Sequence, residues 1–190
     1  MFVIGASLVL SGLSSFNIVN PGKFQLSIRA FTHYELWRLF TSFFYYGKYS
    51  FGTFLHTLVL FSSSKNLEMT GSAQYLYFII LMYIPSAAFG LFFKFAFISD
   101  TFFLALTYVV SRRNRESKIA IMGLPIQISA SYIPFIFLAF GFDYARLLGI
   151  CLGHIYYFFE DVYPKLPNSR NFRIFNSPMI FFKISDYLRL

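Results

Sequence analysis

Chemistry inside an apolar chain would have to come from its few polar side chains, and the first candidates are the histidines. A serine hydrolase needs a nucleophile and a base within hydrogen-bond reach. His154 follows a pair of glycines, Gly149 and Gly153, in the run Gly149-Ile-Cys-Leu-Gly153-His154-Ile-Tyr-Tyr-Phe-Phe-Glu160-Asp161-Val-Tyr-Pro164. His56 stands in a second apolar stretch, and Arg146 lies three residues before Gly149. An arginine stays protonated and cannot serve as a base. The reading adopted for His154 is a packing histidine, bonded to a backbone carbonyl or a neighbouring tyrosine. An ionisable group at that depth still carries a functional hypothesis. The two glycines are four residues apart, so they share one helical face where another backbone can approach closely in lipid. The single cysteine, Cys151, excludes an intrachain disulfide and a cysteine-built zinc cluster. No metal or cofactor is expected.

The elements that must position these residues follow from composition. Of 190 residues, 57% are hydrophobic, 23% aromatic and only 13% charged, against about a quarter charged in soluble domains. Twenty-eight phenylalanines spread over the whole length do not fit one soluble core of this size. The chain therefore reads as an all-α, polytopic membrane protein. The net charge of +8 does not point to nucleic acid, because the basic residues are scattered between apolar blocks. Their largest cluster, Arg112, Arg113, Arg115 and Lys118, reads as a cytoplasmic loop. The first apolar stretch lacks a basic start and a clear cleavage site, and is expected to be a retained helix.

Six blocks emerge between charges and helix breakers: roughly Phe2–Val19, Phe51–Phe61 continuing to Lys65, Tyr75–Phe97, Thr101–Val110, Ile119–Phe142 and Leu147–Val162. Pro85 and Gly90 are expected kinks in the third, and Pro125 and Pro134 interrupt the fifth. Several blocks fall short of the ~20 apolar residues that cross an ordinary bilayer. Either flanking polar residues extend the spans, or short helices thin the bilayer around them. With six spans and both termini cytosolic, ten basic residues lie on the cytosolic side and six on the other, which favours this topology. The domain division expected is a membrane domain over 1–164 and a short cytosolic tail over 165–190. Between the first two blocks, the aromatic and basic stretch from Phe31 to Gly47 is too apolar for a solvated loop and too charged for a span. It fits an interfacial element with its aromatics at headgroup depth.

Several stretches together resemble the derlin family, the rhomboid-like pseudoproteases of the endoplasmic reticulum. The glycine-pair run from Gly149 to Pro164 looks like the last derlin membrane helix. The Trp37-Arg38 pair, in Leu36-Trp37-Arg38-Leu39-Phe40-Thr41-Ser42-Phe43, resembles a pair shared by derlins and rhomboids in the first large luminal loop. Tyr108-Val-Val-Ser111-Arg112-Arg113-Asn114, Tyr132-Ile-Pro134 with Gly141-Phe142, and the tail around Phe172-Arg173 and Ser177-Pro178 are similar to derlin segments as well. The resemblance runs from about Asn20 to Pro178.

It implies a six-transmembrane-helix rhomboid-like fold without protease chemistry, in the endoplasmic reticulum membrane. The implied role is retrotranslocation of misfolded proteins to the cytosol in endoplasmic-reticulum-associated degradation. The implied partners are misfolded clients, a membrane ubiquitin-ligase complex and a segregase ATPase. The tail Lys165–Leu190 contains no glycine, so it lacks the glycine-rich motif with which some derlins dock that ATPase. Recruitment through the ligase complex is expected instead. Rhomboid proteases carry Gly-x-Ser in the fourth helix and a histidine one turn before the glycine pair. Here Gly-x-Ser is missing and Arg146 holds the other position. His56 stands where derlins usually have asparagine.

Arg38 is costly in lipid unless it pairs or reaches the interface. It is expected to shape the loop through backbone carbonyls, held by Trp37. A polar groove open to the membrane would lower the barrier for an unfolded chain, whose unpaired backbone groups each cost several kcal/mol in hydrocarbon. Its candidate lining is His56, Ser62, Ser63, Ser64, Gln127, Ser129 and Ser131. Glu160 and Asp161 read either as a solvated helix end or as a cytosolic contact to the Arg112–Arg113 cluster or a ligase subunit. The competing class is a small-solute transporter or channel, which would want mid-membrane charges and repeated halves. No repeat is visible between the halves, and mid-span acids are absent from the blocks. An active rhomboid protease is the remaining alternative.

Overall fold

The computed structural model describes residues 2–28, 33–120 and 127–166. The chain folds into helices α1 (Phe2–Ser15), α2 (Trp37–Phe44), α3 (Phe51–Thr70), α4 (Ser72–Phe92), α5 (Ser99–Arg113), α6 (Ile133–Phe140) and α7 (Tyr144–Tyr157). A small antiparallel ribbon, β1 (Lys118–Ala120) with β2 (Gln127–Ser129), precedes α6 and pairs Lys118 with Ser129. The expected all-α class is found, with this ribbon as the one addition among the described residues.

The packing is ordered for lipid as solvent. The centre holds fully buried Ser14, Ser42, Ser86 and Thr101, while Phe92 (77% exposed), Phe140 (88%) and Phe142 (66%) face outward. Exposed apolar surface of that kind is unfavourable in water and suits lipid, while the core around the buried hydroxyls is mainly apolar. Helix α5 is the hub. Phe102, Phe103, Leu104, Ala105, Leu106 and Val109 are all at most 1% exposed. Burial on every side explains why its sequence shows little amphipathic period: a helix surrounded by others has no solvent face to mark.

Helix lengths differ from the apolar blocks. The second block extends to Thr70, and Gly71 alone separates α3 from α4. The third block ends at Phe92 rather than Phe97, with Pro85 inside the helix. Gly90 is a packing position: a Cβ there would meet Ile98 Cγ2 at 2.6 Å and Leu26 Cδ2 at 2.7 Å. The fifth block is the main correction. Its first part pairs as ribbon, and the helix occupies only Ile133–Phe140, preceded by a 3₁₀ turn over Ala130–Tyr132. The backbone of Ile119 pairs with that of Ile128 in the ribbon, so part of an apolar run that reads as helix is spent on strand pairing. Pro125 and the residues from 167 onward lie outside the described residues, so the tail segments around Phe172 and Ser177 do too.

By length and apolarity, α4 is the one described helix that would cross a bilayer unaided. The 15 residues of α5 rise about 22 Å and the 8 of α6 about 12 Å, against a hydrocarbon core of about 30 Å. Helix α7 is prolonged by a π-helical turn over Phe158–Val162 and a 3₁₀ turn over Tyr163–Lys165.

The segment between α1 and α3 packs over one end of the bundle. Leu26 N–H donates to Ala96 O at 2.8 Å, Ile98 N–H to Ser42 O at 3.1 Å, and Ser99 Oγ to Tyr45 O at 2.6 Å. Helix α2 is amphipathic. Ser42 and Phe43 are buried, Phe43 against Tyr83 and Phe102, whereas Leu36, Trp37 and Phe40 are exposed.

Candidate functional site

The glycine pair forms the seam between α5 and α7. A Cβ on Gly149 would collide with the Thr101 carbonyl oxygen. One on Gly153 would stand 2.8 Å from Ala105 O and 3.0 Å from Ala105 Cα. Both neighbours are backbone, which cannot swing aside as a side chain can. Thr101 Oγ1 donates to Ala145 O at 2.9 Å and closes the same seam one turn away. The two helices run parallel, because 101 meets 145, 108 meets 154 and 113 meets 161.

Arg38 is held by its own loop. Its Nη1 donates to Gly22 O at 2.8 Å and to Gln25 O at 3.4 Å, and its Nε pairs with Glu35 at 2.5 Å. Glu35 was not among the residues singled out from the sequence, although a carboxylate three residues before an arginine on a helical turn is a recognisable pairing signal. Trp37, at the first position of α2, is 53% exposed.

An ionic cluster occupies the amino ends of α5 and α7. Arg146 Nε donates to Asp100 Oδ2 at 3.1 Å, and its Nη1 donates to Gly141 O at 2.7 Å and Phe137 O at 3.4 Å. Those carbonyls belong to the last turn of α6 and its cap, which have no helical partner of their own. Arg146 thereby ties α5, α6 and α7 together, and a side chain at Gly141 would clash with its guanidinium. His56 completes the cluster from α3, with Nε2 3.9 Å from Asp100 Oδ1 and its ring 3.6 Å from that of Phe103. Asp100 escaped notice because the fourth block was started one residue after it. Its position in the first turn of a helix suits an acid.

His154 lies elsewhere, exposed on α7, with Nδ1 2.7 Å from Tyr108 Oη. Its hydrogen-bonded neighbour is a tyrosine, whereas the carboxylate nearest His56 stands beyond hydrogen-bond distance. At the far end of the seam, Arg113 Nε pairs with Asp161 Oδ2 at 2.9 Å. Of the four charges considered for a cytosolic contact, these two meet within the chain. Arg112 turns instead to Tyr108, with Nε 3.1 Å from its hydroxyl.

A cleft of about 460 Å³ opens between α3, α5 and the start of α6. Its wall is mainly apolar, built by Leu55, Leu58, Val59, Val110 and Ile133, and it carries polar groups from Ser62, Ser63 and Asn66 on α3, Thr107 and Ser111 on α5, and Asn114 and Ser117 just beyond. Asn114 Nδ2 donates to Asn66 Oδ1 at 3.2 Å across it. The Thr107 hydroxyl is buried and has no hydrogen-bond partner among the described residues. Of the groove candidates, Ser62 and Ser63 line this cleft and the other five do not. Ser64 is 1% exposed and turned toward Tyr75 on α4. His56 is held in its aromatic nest near Asp100. Gln127 and Ser129 are in the ribbon, where Ser129 Oγ donates to Arg115 O at 2.8 Å, and Ser131 sits in the 3₁₀ turn. The missed residues carry a signal that sequence alone could have supplied. Thr107, Ser111 and Asn114 follow i, i+4, i+7 spacing, a polar stripe on one face of an otherwise apolar helix.

The same architecture has relatives. The chain is 36% identical over 172 residues to a derlin-2 homologue of Dictyostelium discoideum, covering 80% of this chain and 66% of that protein. It is 32% identical over 171 residues to derlin-1 of Drosophila melanogaster, covering 83% and 69%, and 28% identical over 188 residues to derlin-2 of rice (Oryza sativa subsp. japonica), covering 87% and 74%. The chain thus spans about two thirds to three quarters of the length of these relatives. A model of the Der1-like family matches residues 1–179, which takes in the Arg38 loop, the cleft and the glycine seam alike, and the chain belongs to that family.

Proposed function

We propose that this chain is a non-catalytic component of endoplasmic-reticulum-associated degradation that helps misfolded proteins return to the cytosol. Family membership supports the setting, and the cleft between α3 and α5, whose apolar wall carries serine, threonine and asparagine side chains, is the observation that carries the mechanism. Serine, threonine and asparagine side chains at the wall of a lipid-facing bundle offer hydrogen bonds to a passing chain that hydrocarbon cannot. Ser62 and Asn66, both exposed at the cleft wall, are available groups of that kind. The shortness of α6, beside the cleft, favours a locally thin bilayer and a shorter path. In this reading both termini are cytosolic. Clients contact the cleft, the ligase complex contacts the cytosolic side, and the segregase ATPase is reached through that complex.

The absence of catalysis belongs to the same proposal. Arg146 is permanently protonated and engaged with Asp100 and two carbonyls, so it supplies no base. His56 is enclosed by aromatic rings beside a carboxylate. A fluorophosphonate probe is expected to label no serine of the purified protein; specific labelling at one serine would overturn the non-catalytic reading.

The path is tested by site-specific photocrosslinking in microsomes during client degradation. A crosslinker at Ser62 or Asn66 is expected to capture a misfolded client, and one at Phe92, on the outer surface of α4, is not. Equal capture from all three positions would rule out the cleft as the path.

A further inference from the structure

Tyr108, Arg112 and His154 form a polar trio on the outside of the bundle, separate from the cleft and from the Asp100 cluster. Tyr108 is 2% exposed and fixed in the core, and its buried hydroxyl reaches His154 between α5 and α7. His154 Nδ1 lies 2.7 Å from that oxygen, and Arg112 Nε donates to it at 3.1 Å. The Arg112 guanidinium lies 5.3 Å from the centre of the Tyr108 ring.

The phenol oxygen accepts from Arg112 and holds the His154 ring through Nδ1, so it orients both side chains. Among the described residues, neither terminal nitrogen of Arg112 has a hydrogen-bond partner. Those nitrogens can only donate, and the trio carries the positive charge of Arg112. Such a site takes the oxygens of an anion.

The surroundings choose between a free anion and a lipid. Leu147, Cys151, Ile155 and Phe158 share the exposed face of α7 with His154. This is a strip of apolar surface leading along the helix from a phosphate-binding chemistry, at the end of α5 where the chain leaves the bundle. Free phosphate has no use for the strip, whereas a phospholipid fits both parts.

We propose that Arg112, positioned by the Tyr108 hydroxyl beside His154, binds the phosphate of a phospholipid whose acyl chain lies along Leu147, Cys151 and Ile155. The bound lipid pins the ends of α5 and α7 at a set depth.

The test uses the purified full chain in nonionic detergent. Native mass spectrometry follows titration with dioleoylphosphatidylserine, dioleoylglycerol or inorganic phosphate. One phosphatidylserine is expected to remain bound, with dioleoylglycerol about tenfold weaker for want of charge-assisted hydrogen bonds. Arg112→Gln and Tyr108→Phe are each expected to weaken the phospholipid about tenfold, and Arg115→Gln to leave it unchanged. Tyr108→Phe keeps the buried ring, so its loss reports the hydroxyl rather than the fold. Equal affinity for dioleoylglycerol, phosphate binding as tight as that of the lipid, or full affinity in both Arg112→Gln and Tyr108→Phe would overturn the proposal.

Discussion

Replacing Gly149 or Gly153 by leucine is expected to separate α5 from α7 and cost about 3 kcal/mol or more. The contact at both positions is backbone against backbone, so the added side chain cannot be absorbed by a rotamer change. Against a typical total of about 5–15 kcal/mol, that loss removes much of the margin. Even alanine at Gly149 should destabilise, because the Cβ itself meets the Thr101 carbonyl. Gly5 supplies the control. Nothing lies within 4 Å of a Cβ built there, and alanine within a helix is favoured over glycine by about 1 kcal/mol. The expected order of thermal midpoints in mild detergent is Gly5→Ala at or above wild type, then Gly149→Ala, then Gly149→Leu. A Gly153→Leu protein with normal midpoint, normal abundance and normal client turnover would contradict the seam.

Arg38→Lys is expected to impair client degradation nearly as much as Arg38→Ala. The guanidinium reaches Gly22 and Gln25 carbonyls with one nitrogen and Glu35 with another, joining the loop after α1 to the start of α2. Lysine keeps the charge but has no planar fork with which to serve those directions at once. Each lost charge-assisted bond is worth about 1.5–3 kcal/mol. Degradation rates of a luminal client in cells expressing matched levels of each variant decide the matter. Full activity with lysine and none with alanine would show that the position needs only positive charge.

The features that could be read from residues alone were those set by local spacing. Gly149 and Gly153 share a face because four residues make about one turn, and backbone approach at that face follows from having no side chain there. Arg38 had to find carbonyls because a guanidinium among aromatics cannot stay unpaired. Parallel register was the hidden quantity. Asp100 and Arg146 are 46 residues apart and meet only because α5 and α7 run side by side with Thr101 at Ala145. Arg113 and Asp161 pair for the same reason at the other end. The ribbon was hidden too, since Ile119 and Ile128 belong to an apolar run that reads equally well as helix. The ribbon holds Gln127 and Ser129 in a strand. The cleft was half legible. Ser62 and Ser63 were noticed as serines in an apolar block, whereas the stripe of Thr107, Ser111 and Asn114 went unread because each is an unremarkable residue on its own.

The central claim is that the cleft assists passage of misfolded chains, and filling it without disturbing the core is the direct measurement. Ser62 and Asn66 are both exposed on α3, so Ser62→Phe with Asn66→Leu places apolar bulk in the cleft and leaves the buried packing of α5 intact. The half-life of a misfolded luminal client is measured in cells whose own copy is replaced by this variant. With the variant at wild-type abundance, the half-life is expected to lengthen toward that of cells lacking the protein; a half-life equal to wild type at that abundance would contradict the account.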